Sequence, residues 1–280
     1  MKLITYERNG AIGAGVIVND SQFVDVSAAG DVLKIMTDTG ARQKAGALAA
    51  AGTLQTLSFV RLLAPLTPRS FICIGLNYMD HCRETNSPVP TKPVIFAKFP
   101  NALANPGDTI TWYADMSQTV DYEAELGVII GKPCYRVSKA DALSYVGGYT
   151  CVNDVSARDI QNSDGGKQWT LGKTPDGFCP IGPALVTSDD IADPQTLDIR
   201  CLLNGKVMQN SNTKEMIFGV AHLIAHISHY MTLMPGDLIT TGTTFGVGIG
   251  RNPQVFMKDG DTVVIEIEKI GSLRNSIRVM

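Results

Sequence analysis

The chain has 280 residues, 44% hydrophobic and 18% charged, a composition typical of folded globular proteins rather than disordered ones. Its formal net charge of −3 provides no basic surface for nucleic acid, and no apolar run reaches the length of a membrane-spanning helix. The N-terminus becomes polar too early for a signal peptide, so we expect a cytoplasmic protein without nucleic-acid or membrane partners, built as one large domain or two unequal ones.

Six cysteines are widely spaced and include no Cys-x-x-Cys pair. In a cytoplasmic chain this pattern predicts buried thiols rather than a disulfide framework or a zinc site. Cys82 lies between His81 and Glu84, two candidate catalytic residues, so it is a candidate nucleophile. We prefer His81 and Glu84 as the reactive pair, with Cys82 as a buried thiol. The cysteines are Cys73, Cys82, Cys134, Cys151, Cys179 and Cys201.

The first part of the chain predicts a small appended unit. Alternating apolar and polar residues indicate short strands at 3–7, 15–18 and 23–26, and an Ala-rich run indicates a helix at 41–51. Pro68 disfavours helix before it and marks a joint. We therefore predict a small N-terminal domain at 1–66 and a main domain at 67–280, with no catalytic constellation in the first.

His81 and Glu84 follow an apolar strand, at 71–78, that ends in a glycine turn. In a short helix at 79–85 they lie on one face, three positions apart. A carboxylate beside an imidazole raises its basicity, which suits a general base. The same spacing also occurs in surface His–Glu pairs, and the pattern alone leaves both interpretations open.

Glu123 and Glu125 lie in a predicted strand, where alternation puts them on the same face. Two like charges on a half-buried face repel each other unless a cation lies between them. Oxygen ligands without nearby Cys or His favour magnesium, manganese or calcium. Asp154, at the end of a strand at 147–154, offers a third carboxylate. A solvated strand face is the alternative.

Two turns complete the candidate residues. Lys173 follows a polar loop at 162–168 and lies among glycine and proline turn formers, where a lysine is ordinarily solvated. The strand at 238–241 leads into a glycine-rich turn at 242–248, whose backbone N–H groups suit an anion. That turn lacks the Lys-Ser/Thr ending of a phosphate-binding loop, which disfavours a nucleotide site and leaves a carboxylate-binding turn open.

A predicted helix at 214–231 carries the other three histidines, His222, His226 and His229. The first two are four positions apart, as zinc ligands on one helix face can be. However, Leu223 stands where metalloprotease chemistry needs a Glu. We interpret these histidines as structural or interface residues.

Taken together, the motifs resemble the fumarylacetoacetate hydrolase family over about residues 70–250. The matching segments, in the family's order, are 75–78 with His81 and Glu84, 121–127, 153–161, 172–180 and 235–243. The resemblance implies an α+β, mainly β fold: a mixed β-roll catalytic domain with a small α/β N-terminal domain. It also implies a homodimer.

The resemblance further implies roles for individual residues. Glu123, Glu125 and Asp154 match three carboxylates that hold one Mg²⁺ or Mn²⁺ per subunit. His81 and Glu84 match a catalytic pair on a lid helix, and Lys173 matches the active-site lysine. On the substrate side are Gln161 and Thr243, joined by Arg158 and Gly242 from the same segments. Thr244 departs from the family, in which proline is frequent at that position.

The implied function is metal-dependent hydrolysis of a C–C bond in acylpyruvates or other 2,4-dioxo acids, including acids derived from sugars. The His81–Glu84 pair would deprotonate a water that attacks the distal carbonyl, and Lys173 would stabilise the released enolate of pyruvate or a related 2-oxo acid. Decarboxylation of oxaloacetate or isomerisation on the same metal site is the alternative. A non-catalytic metabolite-binding protein is less favoured. Specificity is expected in residues 82–90 and 162–168.

Overall fold

The computed structural model of the chain describes residues 1–163 and 168–280, which form a mainly β structure. Nineteen strands lie in this described part: β1 (Lys2–Arg8), β2 (Ala11–Asn19), β3 (Gln22–Asp25), β4 (Leu54–Thr56), β5 (Arg61–Leu63), β6 (Phe71–Gly75), β7 (Val94–Lys98), β8 (Leu103–Ala104), β9 (Thr109–Trp112), β10 (Val120–Asp121), β11 (Ala124–Ile130), β12 (Val146–Asn153), β13 (Ser156–Ala157), β14 (Cys179–Thr187), β15 (Asp198–Leu203), β16 (Lys206–Asn212), β17 (Leu238–Thr243), β18 (Thr262–Ile267) and β19 (Gly271–Val279). The helices of the same residues are α1 (Val32–Thr37), α2 (Thr39–Ala51), α3 (Met79–Glu84), α4 (Arg158–Ser163), α5 (Thr170–Lys173) and α6 (Val220–Tyr230).

A twelve-stranded mixed sheet forms the centre of the molecule. Its strands follow the order β4-β3-β2-β1-β14-β12-β11-β17-β6-β7, with β5 on β1 and β8 on β14. Every residue of β11, β12 and β17 is buried, because these strands are covered on both faces. This explains the nearly continuous apolar sequence of β11, which carries one carboxylate into the core.

A second sheet of five strands, in the order β16-β15-β18-β19-β9, packs beside the first. Its strands alternate buried and more exposed residues, as β18 does, so one face meets the core. Ile199, Ile265 and Leu273 of this face belong to one apolar cluster with Leu126 and Val128 of β11. The mainly β, mixed-sheet architecture confirms the predicted fold class.

The N-terminal segment extends the large sheet. Strand β1 pairs with β2 on one side and with β14 on the other, where Leu3 faces Leu185. Leu3 and Ile35 share an apolar cluster with Ile129 and Val152 of the central strands. Residues 1–66 thus share both a sheet and a core with the rest of the chain, and the domain boundary at residue 66 stays a prediction about folding units. Helix α2 confirms the predicted Ala-rich helix.

Helix α6 begins six residues after the predicted start at 214. The intervening chain forms a 3₁₀ turn, in which the Asn212 side chain accepts a hydrogen bond from the backbone N–H of Lys214 (3.0 Å). Leu223, Ile224 and Ile227 then form the buried face of α6. Within residues 1–163 and 168–280, no helix is long and apolar enough to cross a membrane.

Candidate active site

Three buried carboxylates converge where β11 and β12 run side by side. Glu125 lies in β11, Glu123 directly precedes that strand, and Asp154 directly follows β12. The register that pairs Ala124 with Asn153 sets them together, and the Asp154 N–H donates to the Glu123 carbonyl (3.0 Å). One oxygen from each carboxylate lies within 4.8 Å of the others. Their burial excludes the solvated strand face that the sequence left open.

Two lysines neutralise part of this charge. Lys173 Nζ lies 2.7 Å from Glu123 Oε2 and 2.8 Å from Asp154 Oδ2. Lys98 Nζ lies 2.5 Å from Asp154 Oδ1 and donates to the carbonyls of Val155 and Phe178. Lys98 was not predicted from the sequence. The one feature that could have indicated its burial is its position at the end of the apolar strand β7. Asp154 is therefore held from both sides by cations.

Arg158 forms the third cationic contact. Its Nη2 atom lies 2.6 Å from Glu123 Oε1 and 2.9 Å from Asp121 Oδ2, and its Nη1 donates to Gln161 Oε1 (3.0 Å). Asp121 has no exposed surface and belongs to the motif 121–127, but sequence reasoning gave it no role. Arg158 therefore links a candidate metal ligand to the amide of Gln161.

The surroundings move the pKa values of the two glutamates in opposite directions. Burial raises the pKa of Glu123, but Lys173 and Arg158 outweigh it and lower the pKa to about 2. Burial, together with Asp154 and Glu123, raises the pKa of Glu125 well above its ordinary value of 4.5. Within the described residues Glu125 forms no ion pair, and Gly242 N–H donates to its Oε2 (2.9 Å).

This donor set fits a hard divalent cation. Four buried carboxylates, including that of Asp121, face three buried cationic side chains, which leaves an excess negative charge in a region sheltered from water. Burial and, after it, the neighbouring carboxylates raise the pKa of Glu125, and a divalent cation bound by Glu123, Glu125 and Asp154 would compensate the negative charge. Mg²⁺ and Mn²⁺ both accept three carboxylate oxygens.

A cavity of about 490 Å³ opens beside the carboxylates, and we call it the site cavity. It collects most of the residues predicted from the sequence, although they come from distant parts of the chain. Those that line it are His81, Glu84, Glu123, Glu125, Arg158, Gln161, Lys173 and Thr243.

Helix α3 places His81 and Glu84 at the site cavity, with His81 Nδ1 3.5 Å from Glu84 Oε2. Neither of these two buried atoms has a hydrogen-bond partner among the described residues. The other oxygen of Glu84, Oε1, accepts the Gly246 N–H (2.9 Å). The backbone of a facing loop thus orients Glu84, whose other oxygen faces His81 Nδ1. Nε2 is then the ring nitrogen of His81 suited to exchange a proton with a substrate.

The two predicted residues of the glycine turn mainly fix strand β17 against β11. Thr243 Oγ1 donates to the Ala124 carbonyl (3.0 Å) and accepts from Gln209 Nε2 (2.8 Å). Gly242 gives its N–H to Glu125, and its φ of +88° suits glycine. Contacts of Gly242 and Thr243 with substrate stay predictions. Thr244, which departs from the family pattern, is buried and accepts from the same Gln209 (3.2 Å).

The two stretches predicted to set specificity meet the site cavity in part. Thr85 and Ser87 line it, as does Asn162, but residues 164–167 of the predicted loop lie outside the described residues. Trp169 forms a further part of the wall, where its ring packs edge-on to Phe96. A Cβ atom on Gly75 would lie 2.0 Å from the Trp169 ring, so a larger residue at position 75 would force that ring to move.

A family model described as "Fumarylacetoacetate (FAA) hydrolase C-terminal" matches residues 70–278. The chain belongs to the fumarylacetoacetate hydrolase family. It is 52% identical over 221 residues to the mitochondrial oxaloacetate tautomerase FAHD2A of Bos taurus, a match that covers 79% of this chain and 70% of that protein. The predicted family membership is therefore confirmed.

Solved structures support the same assignment. The fumarylacetoacetate hydrolase from psychrophilic Exiguobacterium antarcticum is 36% identical, with a TM-score of 0.88 and full coverage of both chains. The 2-hydroxyhepta-2,4-diene-1,7-dioate isomerase from Mycobacterium marinum is also 36% identical, with a TM-score of 0.79, covering 100% of this chain and 98% of that one. These likenesses confirm the fold expected of the family, and the chain is an enzyme of that family.

The histidines of α6 lie apart from the family's site. His222 stacks on Phe218 with ring centroids 5.0 Å apart, and the rings of His222 and His226 are 6.2 Å apart. Among the described residues, the carboxylates described above are the one group of three or more His, Cys, Asp and Glu side chains able to hold a metal. All six cysteines are free and buried, which confirms the prediction of buried thiols.

Proposed function

We propose that the protein is a metal-dependent tautomerase that interconverts the enol and keto forms of oxaloacetate or a closely similar 2-oxo acid. The observation that carries this proposal is the pairing of His81 Nδ1 with Glu84 Oε2, both without hydrogen-bond partners in the described residues, beside a buried cluster of carboxylates. The activity named for the bovine relative supports it. Of the reactions considered from sequence, this is isomerisation on the metal site rather than acylpyruvate hydrolysis.

Glu123, Glu125 and Asp154 would hold one Mg²⁺ or Mn²⁺, which when bound acts as a Lewis acid that favours negative charge on the 2-oxygen of the substrate. The positive charge of Lys173 would further stabilise negative charge on that oxygen. An ammonium has three N–H donors, and Lys173 donates to Glu123 and Asp154, so one N–H has no hydrogen-bond acceptor among the described residues and suits the substrate.

The reaction moves one proton. In the keto-to-enol direction the C3–H bond breaks, a C2–C3 double bond forms and the 2-oxygen gains a proton. His81 is suited to take the C3 proton through Nε2, because its Nδ1 faces Glu84, whose carboxylate stabilises the imidazolium. The imidazolium then returns the proton to oxygen, so that the enzyme ends in its initial state.

The amide of Gln161 is suited to orient the substrate. Its Oε1 accepts from Arg158, which fixes the amide so that Nε2 is a donor without a partner among residues 1–163 and 168–280. Gln161 lines the site cavity and is 7% exposed, so this donor suits a substrate carboxylate. Arg158 itself has protein partners at Nε, Nη1 and Nη2, which favours a supporting role over the predicted substrate contact.

The test is the loss of enol absorbance after enol-oxaloacetate is added, with Mg²⁺, with Mn²⁺ and with excess chelator. We expect ketonisation to be faster than the uncatalysed rate only in the presence of a metal. Equal rates with and without enzyme under all three conditions would overturn the proposal. Pyruvate is measured in parallel, because its release from oxaloacetate would indicate decarboxylation instead.

Acylpyruvate hydrolysis is the second candidate. The His81–Glu84 pair could equally deprotonate a water, and a solved neighbour at 36% identity is a fumarylacetoacetate hydrolase. A small acylpyruvate assayed under the same conditions separates the two reactions. Pyruvate and free acid from it, without faster ketonisation of oxaloacetate, would replace the tautomerase with a hydrolase. Metal-dependent turnover of any of these acids would exclude a non-catalytic binding protein.

We further propose that the protein is a homodimer, as the family resemblance implies. Light scattering after gel filtration tests this. The name of the bovine relative places that protein in mitochondria. The cytoplasmic location expected for this chain stays a prediction, which microscopy of the protein in its own cells tests.

A further inference from the structure

We propose that Asp121 is a positioning residue that joins the metal side of the site to the proton-transfer side. It does so by holding the segment 246–250, which we call the glycine loop. The kinetic part of this proposal rests on the proposed function, and the binding and exchange measurements below do not.

The Asp121 carboxylate is buried and fully used by the protein. Its Oδ1 accepts the N–H groups of Tyr122 (2.9 Å) and Gly248 (2.7 Å). Its Oδ2 accepts the N–H of Ile249 (3.0 Å) and Nε of Arg158 (2.9 Å). With four donors from three parts of the chain, this side chain has no capacity left for substrate, and its effect is to fix those parts relative to one another.

On one side, Asp121 fixes the loop that receives Glu84. The Gly246 N–H donates to Glu84 Oε1 (2.9 Å), and a Cβ atom on Gly250 would lie 2.5 Å from Glu84 Cδ. At Gly248 a Cβ atom would lie 2.6 Å from Asp121 Oδ1 and 1.9 Å from the Val255 carbonyl. The glycine loop therefore packs between the carboxylates of Asp121 and Glu84, so closely that a side chain at Gly248 or Gly250 would clash.

On the other side, Asp121 fixes the guanidinium that holds Glu123. Arg158 is bound to Asp121 through Nε and Nη2 and reaches Glu123 Oε1 at 2.6 Å. The same guanidinium sets the amide of Gln161. Through Arg158 and the glycine loop, one carboxylate therefore determines the position of a metal ligand, a substrate donor and the proton-transfer pair.

The decisive variant is Asp121→Asn. It keeps the shape of the side chain but places an NH₂ group against the N–H donors of Ile249 and Arg158 or of Gly248 and Tyr122. We expect Mn²⁺ affinity, measured by calorimetry, to fall about tenfold, the size seen when a partner of a metal ligand is lost. In the metal-free protein we expect the amides of Gly246, Gly248 and Ile249 to exchange hydrogen at least about tenfold faster. In the kinetics, kcat should fall more than KM rises.

The matched control is Asp237→Asn, since Asp237 is also buried and accepts a backbone N–H (that of Met234, 2.7 Å) away from the site cavity. This control should lower the melting temperature without changing Mn²⁺ affinity or exchange in the glycine loop. The proposal is overturned if Asp121→Asn behaves in the same way as the control.

A second variant covers the case in which Asp121→Asn does not fold. Arg158→Lys keeps the charge but cannot span Asp121, Glu123 and Gln161 together. Mn²⁺ affinity should fall while the amides of Gly248 and Ile249 keep their slow exchange, because Asp121 still holds them. Unchanged Mn²⁺ affinity in this variant would contradict the link to Glu123. Mn²⁺ affinity and amide hydrogen exchange can both be measured in a protein that does not turn over oxaloacetate. They therefore test the role of Asp121 separately from the proposed function.

Discussion

The two sides of the site cavity are built in different ways. On the metal side, Glu125 lies in a central strand, and Glu123 and Asp154 are held by Lys98, Lys173 and Arg158 at 2.5–2.8 Å. On the opposite side, His81 and Glu84 lie on α3, a six-residue helix without a side-chain hydrogen bond at its N-cap. A helix this short is not stable alone.

The contacts that hold α3 come from other elements. Asp80 accepts from Ser211 (2.5 Å), and Glu84 accepts from Gly246 (2.9 Å). The carboxylates proposed to bind a cation are thus fixed in the central strands or directly beside them, and the groups proposed to exchange protons lie on a helix that packs against loops. Changes on the metal side should alter stability and metal binding, whereas changes on α3 should alter rates alone.

Glu125→Gln should give the largest effect. Removing one of three ligand oxygens is expected to abolish turnover and the rise in melting temperature caused by Mn²⁺, while Gly242 N–H can still donate to the amide oxygen. The melting temperature of the metal-free protein should nevertheless rise. Differential scanning fluorimetry with and without Mn²⁺ measures both changes.

The pH dependence follows from the raised pKa of Glu125. The folded protein binds this proton more tightly than the unfolded chain does, so above the ordinary value of 4.5 the metal-free protein loses stability as pH rises. Glu125→Gln should remove that decline. The lowered pKa of Glu123 acts in a separate window, between about pH 2 and 4.5, where stability is lost as pH falls. An identical pH dependence above 4.5 in both proteins would show that Glu125 is not the group responsible.

Lys98→Met should give the largest loss of stability. It removes one of two cations from the buried Asp154, and breaking a buried ion pair in this way costs about 3–5 kcal/mol. Because Mn²⁺ can replace part of the lost positive charge, it should stabilise this variant more than the wild type. Urea denaturation with and without Mn²⁺ measures the effect, and Lys206→Met, on the surface, is the control.

Glu84→Gln should affect the rate without affecting the metal side. The amide oxygen can keep the hydrogen bond from Gly246, but the charge that stabilises the His81 imidazolium is lost. We expect kcat for ketonisation to fall about 100-fold, at the lower end for acid–base groups, with Mn²⁺ affinity unchanged. Arg83→Gln, on the exposed side of the same helix, is the control. If Glu84→Gln retains full activity, another group must transfer the proton.

Trp169→Leu should change the choice of substrate. The indole ring forms part of the wall of the site cavity and packs against Gly75 and Phe96, so a smaller side chain lengthens the cavity. We expect the ratio of kcat/KM for a longer acylpyruvate to that for oxaloacetate to rise about tenfold. Leu171→Ala, which changes a side chain that is 61% exposed, should leave this ratio as it is. An unchanged ratio in Trp169→Leu would place the size limit elsewhere.

The smallest effects are expected at α6. His222→Ala and His226→Ala alter side chains outside the site cavity and outside the cluster able to hold a metal. Activity should change less than about twofold, within the range of surface substitutions. The number of Mn²⁺ ions bound per chain should stay the same, as calorimetry can show. Fewer bound Mn²⁺ ions in either variant would indicate that His222 and His226 bind a metal, as their four-residue spacing allows.

The strand period placed Glu123 and Glu125 together, and the three-residue spacing placed His81 and Glu84 on the short helix α3, because both depend on local sequence. Asp154 joins them through the pairing of β11 with β12, and the family resemblance pointed to it. The roles of all five residues stay predictions. The start of α6 was placed too early, since Asn212 caps a 3₁₀ turn before Gly219. Lys98 was missed because a lysine that ends a strand is ordinarily solvated, and its burial requires carbonyls 57 and 80 residues away in the chain. Asp121 was missed because its partner Gly248 is 127 residues away. Local patterns carry no signal for such contacts.

The parallel pairing of β6 with β17 has a consequence for the order in which the molecule folds. Strand β6 lies between β17 and β7, and the turn that follows it is tied to β17 by Asn77 Nδ2, which donates to the Thr241 carbonyl across 164 residues. During synthesis, the edge of β6 that pairs with β17 therefore stays unpaired until β17 has left the ribosome. Pairings over such sequence distances form slowly. Catalytic competence should consequently appear late and all at once, and chains that stop before β17 should be clients of chaperones rather than partially active enzymes.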